Sequence, residues 1–167
     1  RRGKSPYPHF TGIMENLHPS VRLEFVNAEG VGLGMPLPAG VVRVYQSETG
    51  RGAGSQFAGE DSIVHTPREE RVKLHVGRAF DVVAERRQMA YEVLADGLVE
   101  TEWEIKIRNR KSETVVVEVR EPTSGDSTVV SSSLPYEKVS AREIRFDVTC
   151  PPDEEIVLRY RLRVKYY

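Results

Sequence analysis

The chain has 167 residues and a formal net charge of −1, with 39% hydrophobic and 29% charged residues. That balance argues against a disordered or collagen-like chain, and apolar runs such as Val115–Val117 fall far short of the ~20 residues of a membrane helix. The near-zero charge gives no overall field for nucleic acid or anionic lipid, and the single cysteine, Cys150, allows no internal disulfide.

Residues 1–19 hold three prolines and little alternation, so they are expected to form an irregular arm or the stub of a preceding region. Arg1-Arg2-Gly3-Lys4 leads into Ser5-Pro6-Tyr7-Pro8, not into the apolar run of a signal peptide, which suggests a piece of a longer chain. From residue 20 onward, alternation of apolar and polar residues dominates, as half-buried strands require. Val21, Leu23 and Phe25 share a face, and a further strand is expected at Val41–Gln46. The glycines of Thr49–Ser55 mark an exposed loop. Val72, Leu74 and Val76 alternate with charged residues, and strands are expected at Ala79–Arg86 and Met89–Leu94. Asp96-Gly97 then reads as a tight hairpin turn. Beyond it, Trp103, Ile105 and Ile107 alternate with Glu102, Glu104, Lys106 and Arg108. Val115–Val119, Thr128–Ser132 and Ile144–Val148 follow, and the longest run places Ile156, Leu158, Tyr160, Leu162, Val164 and Tyr166 on one face. The expected fold class is all-β: a two-layer antiparallel β-sandwich of Greek-key or immunoglobulin-like character, with about nine or ten strands and almost no helix. Residues 20–167 are expected to form it as a single domain.

Few residues suggest chemistry. Glu60, Asp61 and His65 are two carboxylates and an imidazole within six residues. Such a group can hold a divalent cation or act as acid and base. With no second His or Cys at ligand spacing, the structural reading is the better one: Asp61 caps backbone amides in a turn, and His65 bonds a neighbouring carbonyl. Asp81 and Glu85 share a strand face and could act as paired carboxylates, but Arg86 and Arg87 offer ion-pair partners at once. Cys150 has no nearby His, Ser131–Ser133 lacks the surroundings of a nucleophile elbow, and Gly30, Gly32 and Gly34 precede prolines and no helix. No catalytic residue, cofactor or metal site is assigned.

Arg159, Arg161, Arg163 and Lys165 form a basic row on one face of the last strand. The row could hold an acidic polysaccharide or a phosphate backbone. Glu100, Glu102 and Glu104 form a matching acidic row. The favoured expectation is that the two strands are antiparallel neighbours whose rows interleave on the solvent face and neutralise each other.

Five segments carry a resemblance. They are Gly32–Tyr45, Phe57–Pro67, Gly77–Arg86, Glu104–Lys111 and Pro135–Lys138. In this order they resemble the C-terminal domain of DUF4139, a bacterial family of the mucoidy-inhibitor-like type, over roughly residues 20–167. The chain departs from that pattern in having Ser127-Thr128 after Gly125-Asp126 where an aromatic is usual, and in ending on Tyr166-Tyr167. The resemblance implies a β-sandwich in a larger bacterial protein exported to the periplasm or cell envelope. It brings no established activity and no site residues. The expected function is a non-catalytic structural or protein-interaction domain; a glycan- or peptidoglycan-binding module is the alternative, and a hydrolase comes last. The expected partner is the preceding part of the same chain or another envelope protein, with no nucleic acid and no membrane insertion of this domain.

Overall fold

The protein is described by a computed structural model covering residues 13–47, 54–124 and 126–166. Most of the N-terminal arm, residues 48–53 with most of the loop expected at Thr49–Ser55, Gly125 and the terminal Tyr167 lie outside the described residues. The fold is all-β. Its strands are β1 (Ile13–Leu17), β2 (Ser20–Val26), β3 (Gly40–Ser47), β4 (Ser55–Ile63), β5 (Arg71–Arg78), β6 (Val82–Ala95), β7 (Leu98–Asn109), β8 (Val115–Pro122), β9 (Asp126–Ser132), β10 (Glu137–Ser140), β11 (Glu143–Cys150) and β12 (Glu155–Lys165). Among the described residues the remaining element is a 3₁₀ turn at Glu29–Val31. Among the described residues no helix is long and apolar enough to cross a membrane.

The chain divides into two compact units, residues 1–18 with 80–167, and residues 19–79. The expectation from the sequence is one domain over 20–167 and an irregular arm over 1–19. The difference at the arm has a clear origin: Ile13–Leu17 is a strand because it pairs antiparallel with β6, Ile13 opposite Arg87 and Leu17 opposite Ala84. Among the described residues there are twelve strands where nine or ten are expected. Of the strands expected at 79–86 and 89–94, residues 82–86 and 89–94 join into β6 across a register shift between Gln88 and Ala90, while 79–81 lie outside it. Strands β4 and β10 went unread because Ser55–Ile63 and Glu137–Ser140 lack alternation and stay largely exposed.

In the larger unit, a five-stranded antiparallel sheet runs in the order β1-β6-β7-β12-β9, and a three-stranded sheet in the order β10-β11-β8. The two sheets pack face to face: the Phe146 ring on β11 lies 5.3 Å from the Tyr160 ring on β12. Alternation puts Trp103, Ile105 and Ile107 of β7 against Ile144, Phe146 and Val148 of β11 and Leu158, Tyr160 and Leu162 of β12, all buried. This is the core that the alternating runs predict. At its edge, Asn109 is fully buried at the end of β7. Its amide nitrogen donates to the carbonyls of Glu113, Cys150 and Pro151, and its Oδ1 accepts from the Lys111 amide. One side chain thereby ties together the β7–β8 and β11–β12 turns.

The smaller unit consists of two antiparallel ribbons, β2–β5 and β3–β4. They meet where Gly59 of β4 approaches β5 so closely that a Cβ there would sit 1.8 Å from the Val76 carbonyl oxygen. Only glycine allows that approach. Asn27 plays the part of Asn109 here. Fully buried, it donates to the carbonyls of Met35 and Pro67 and accepts from the Gly34 amide. Gly34, at φ 96°, belongs to a backbone bend, as the glycine–proline spacing suggests.

Candidate functional site

The Glu60, Asp61 and His65 group does not converge. Glu60 and Asp61 are consecutive residues of β4, so their side chains leave on opposite faces. This corrects the expectation that Asp61 lies in a turn. Glu60 lies opposite Arg43 on β3 and pairs with it at 3.1 Å. Asp61 accepts two backbone amides, His75 at 2.7 Å and Ser62 at 2.8 Å. The His75 bond first and the Ser62 bond second hold its carboxyl below the ordinary aspartate value. Asp61 is thus a backbone cap, but on a strand, where it helps fasten β4 to β5. His65 lines a shallow apolar depression with Pro36, Pro38 and Pro67, and its Nδ1 accepts the Ala39 amide at 3.4 Å, a backbone amide in place of the expected carbonyl. Among the described residues, no group of three or more His, Cys, Asp or Glu side chains is placed to hold a metal ion.

The paired carboxylates of the β6 region separate too. Glu85 pairs with Arg108 of the neighbouring strand β7, while Asp81 lies just outside β6. Cys150 is fully buried, and its thiol contacts the carbonyls of Ile107 and Glu154.

The basic and acidic rows lie together. In the β7–β12 register, Arg159 faces Glu104, Arg161 faces Glu102 and Arg163 faces Glu100. The ion pairs follow: Arg159–Glu104 at 2.7 Å, Arg161–Glu102 at 2.7 Å and Arg163–Glu100 at 2.8 Å, with Arg161 also reaching Glu100 at 3.2 Å. The hydrogen bond and charge of Glu102 raise the Arg161 pKa above its ordinary value. The face is less open than expected. Glu100 and Glu104 are only 7% and 5% exposed, because β7 is a central strand and the long arginines lie over their carboxylates. Lys165, opposite Leu98, lies beyond the acidic row.

On the inner face of the same sheet is a feature the sequence reading did not assemble. Arg86 points inward, its guanidinium 3.5 Å from the centre of the Trp103 ring, and makes a two-pronged pair with Glu121 of β8, at 3.1 and 2.8 Å. Burial alone would lower the Arg86 pKa, but the hydrogen bonds and charge of Glu121 outweigh it and raise the value. Burial, then the Glu121 charge, push the Tyr160 phenol well above its ordinary range. Above these groups a cleft of about 220 Å³ opens between the sheets. A signal for it existed in the sequence: alternation puts Arg86 on the same face as Val82 and Ala84, and a cation on an apolar face demands a buried partner.

No protein-family model, curated protein or solved structure matches this chain.

Proposed function

We propose that this chain is a non-catalytic structural or protein-interaction domain of a larger bacterial envelope protein. The side chains that read as chemical candidates support this, since most are committed to partners within the fold. The arginines of the basic row pair with the acidic row, Glu60 with Arg43, Glu85 with Arg108, and Asp61 with backbone amides. A carboxylate held in such a bond is a poor base, and an arginine facing its own glutamate is a poor polyanion ligand. Export to the envelope rests on the motif resemblance alone.

The observation that carries the interaction reading is an exposed aromatic pair. Tyr45 and Phe57 stand opposite each other on β3 and β4, rings edge to face at 5.7 Å, and each remains 54% exposed. Val41 on the same ribbon is 60% exposed. Aromatic side chains gathered on an open ribbon are what interface cores are made of. The test places a photo-crosslinking amino acid at position 45, at 57, or at the equally open Val116, in the full-length protein within its own cells. Discrete adducts at 45 and 57, with none at 116, are expected. No adduct at 45 or 57, or equal labelling at 116, would overturn the reading.

A further inference from the structure

We infer that the inter-sheet cleft of the larger unit is a binding site for a single neutral sugar ring. The inference goes beyond the interaction reading and does not depend on the β3–β4 ribbon.

The cleft arises from strand lengths. β8 ends at Pro122, next to the Glu121 that meets Arg86, while the five-stranded sheet runs on. Past the Trp103–Tyr160 rung, Tyr91, Thr101, Leu162, Val99 and Val164 still face inward, with Thr123, Ser124 and Tyr166 at the rim. At about 220 Å³ the cleft has room for a single ring.

The lining selects the chemistry. Among the described residues its charged ones are Arg86 and Glu121, and they neutralise each other through two hydrogen bonds. An anion or cation would have to break that pair and leave one charge buried alone. A purely apolar ligand fits no better, because the cleft also holds polar groups: the Gln88 amide, the Thr101 hydroxyl, which accepts the Trp103 indole N–H at 3.1 Å, and the Ser124 and Tyr166 hydroxyls, 3.2 Å apart. Covering the Gln88 amide without a hydrogen bond would be costly, whereas the Thr101 hydroxyl is already bonded to Trp103 and to the Leu162 carbonyl. Between these groups stand the rings of Trp103, Tyr160 and Tyr91. Arg86 covers a face of Trp103 and Tyr160 is buried against Phe146, so Tyr91 is the ring left to meet C–H groups; with neutral donors and acceptors for hydroxyls and no net charge, the lining suits an uncharged pyranose.

Trp103 is the sole tryptophan, so intrinsic fluorescence reports on the cleft directly. The experiment titrates the protein with glucose, galactose, mannose and N-acetylglucosamine, each to about 100 mM, a range suited to a one-ring ligand of millimolar affinity. Glucuronate and cyclohexanol serve as charged and apolar comparisons. A saturable change with at least one neutral sugar is expected, weakened at least tenfold by Gln88→Ala and by Tyr166→Ala, with a matching shift of the Trp103 indole N–H resonance. Tyr45→Ser should leave this binding intact, which separates the result from the ribbon's role. No saturable change with any neutral sugar would overturn the inference. So would tighter binding of glucuronate or cyclohexanol, or unchanged affinity in both cleft variants.

Discussion

Replacing Asn109 by aspartate is expected to destabilise the larger unit more than replacing it by alanine, despite the near-identical shape. The Asn109 amide has two protons and shares them among the carbonyls of Glu113, Cys150 and Pro151, while its oxygen accepts the Lys111 amide at 3.0 Å. Three bonds' worth of donors and acceptors at about 1 kcal/mol net each gives about 3 kcal/mol for Asn109→Ala. Aspartate keeps the acceptor for Lys111 but turns its second oxygen toward three carbonyl oxygens. At a site with no exposed surface, that carboxylate must either stay charged without a donor or take up a proton. The cost should exceed 4 kcal/mol, at the upper end for a single substitution. Urea unfolding followed by far-ultraviolet circular dichroism and by Trp103 fluorescence measures both variants. An aspartate variant within about 1 kcal/mol of the parent, or no worse than alanine, would refute the claim that this amide clamps the two turns.

Gly59→Ala should loosen the smaller unit by about 1–3 kcal/mol, since its Cβ would fall 1.8 Å from the Val76 carbonyl oxygen and backbone must move; an unchanged unfolding midpoint would show that the ribbons meet differently. Trp103→Ala should cost about 3–5 kcal/mol, because the ring is buried beneath Arg86 and beside Tyr160; a loss below about 1 kcal/mol would mean that the ring packs little. The raised pKa of Tyr160 sets an alkaline limit. The folded state keeps the phenol proton above pH 10.0, the ordinary tyrosine value, while the unfolded state gives it up. Its contribution is therefore complete below that pH and declines above it, by about 1.4 kcal/mol per unit. Urea midpoints at pH 9 and 11 should show the parent losing more than Tyr160→Phe, and equal losses would contradict the burial argument.

What the sequence made legible follows from period two. β7, β11 and β12 each bury one face, so alternation exposed both their core residues and the two charged rows, and charge complementarity then implied the register. β4 escaped because its sequence, Ser55–Ile63, has no buried apolar face; backbone pairing with β3, the Gly59 contact and the Asp61 cap hold it. Asn27 and Asn109 escaped because a lone asparagine reads as a turn residue until its carbonyl partners, up to 42 positions distant, are known. The cleft escaped for a related reason: Arg86, Trp103, Glu121 and Tyr160 come from four strands, and no local pattern joins them.

The central claim is that the charged side chains resembling a binding strip are spent on one another. The direct measurement is a double-mutant cycle of Arg161→Glu and Glu102→Arg, whose parents lie 2.7 Å apart across the β7–β12 register. Each reversal alone sets like charges opposite each other and should destabilise the fold, less so in high salt. The double variant should recover part of that loss, and neither the parent nor the double variant should bind dextran sulfate. Strict additivity in the cycle, together with salt-sensitive dextran sulfate binding by the parent that Arg161→Glu abolishes, would make the row a polyanion site and contradict the account.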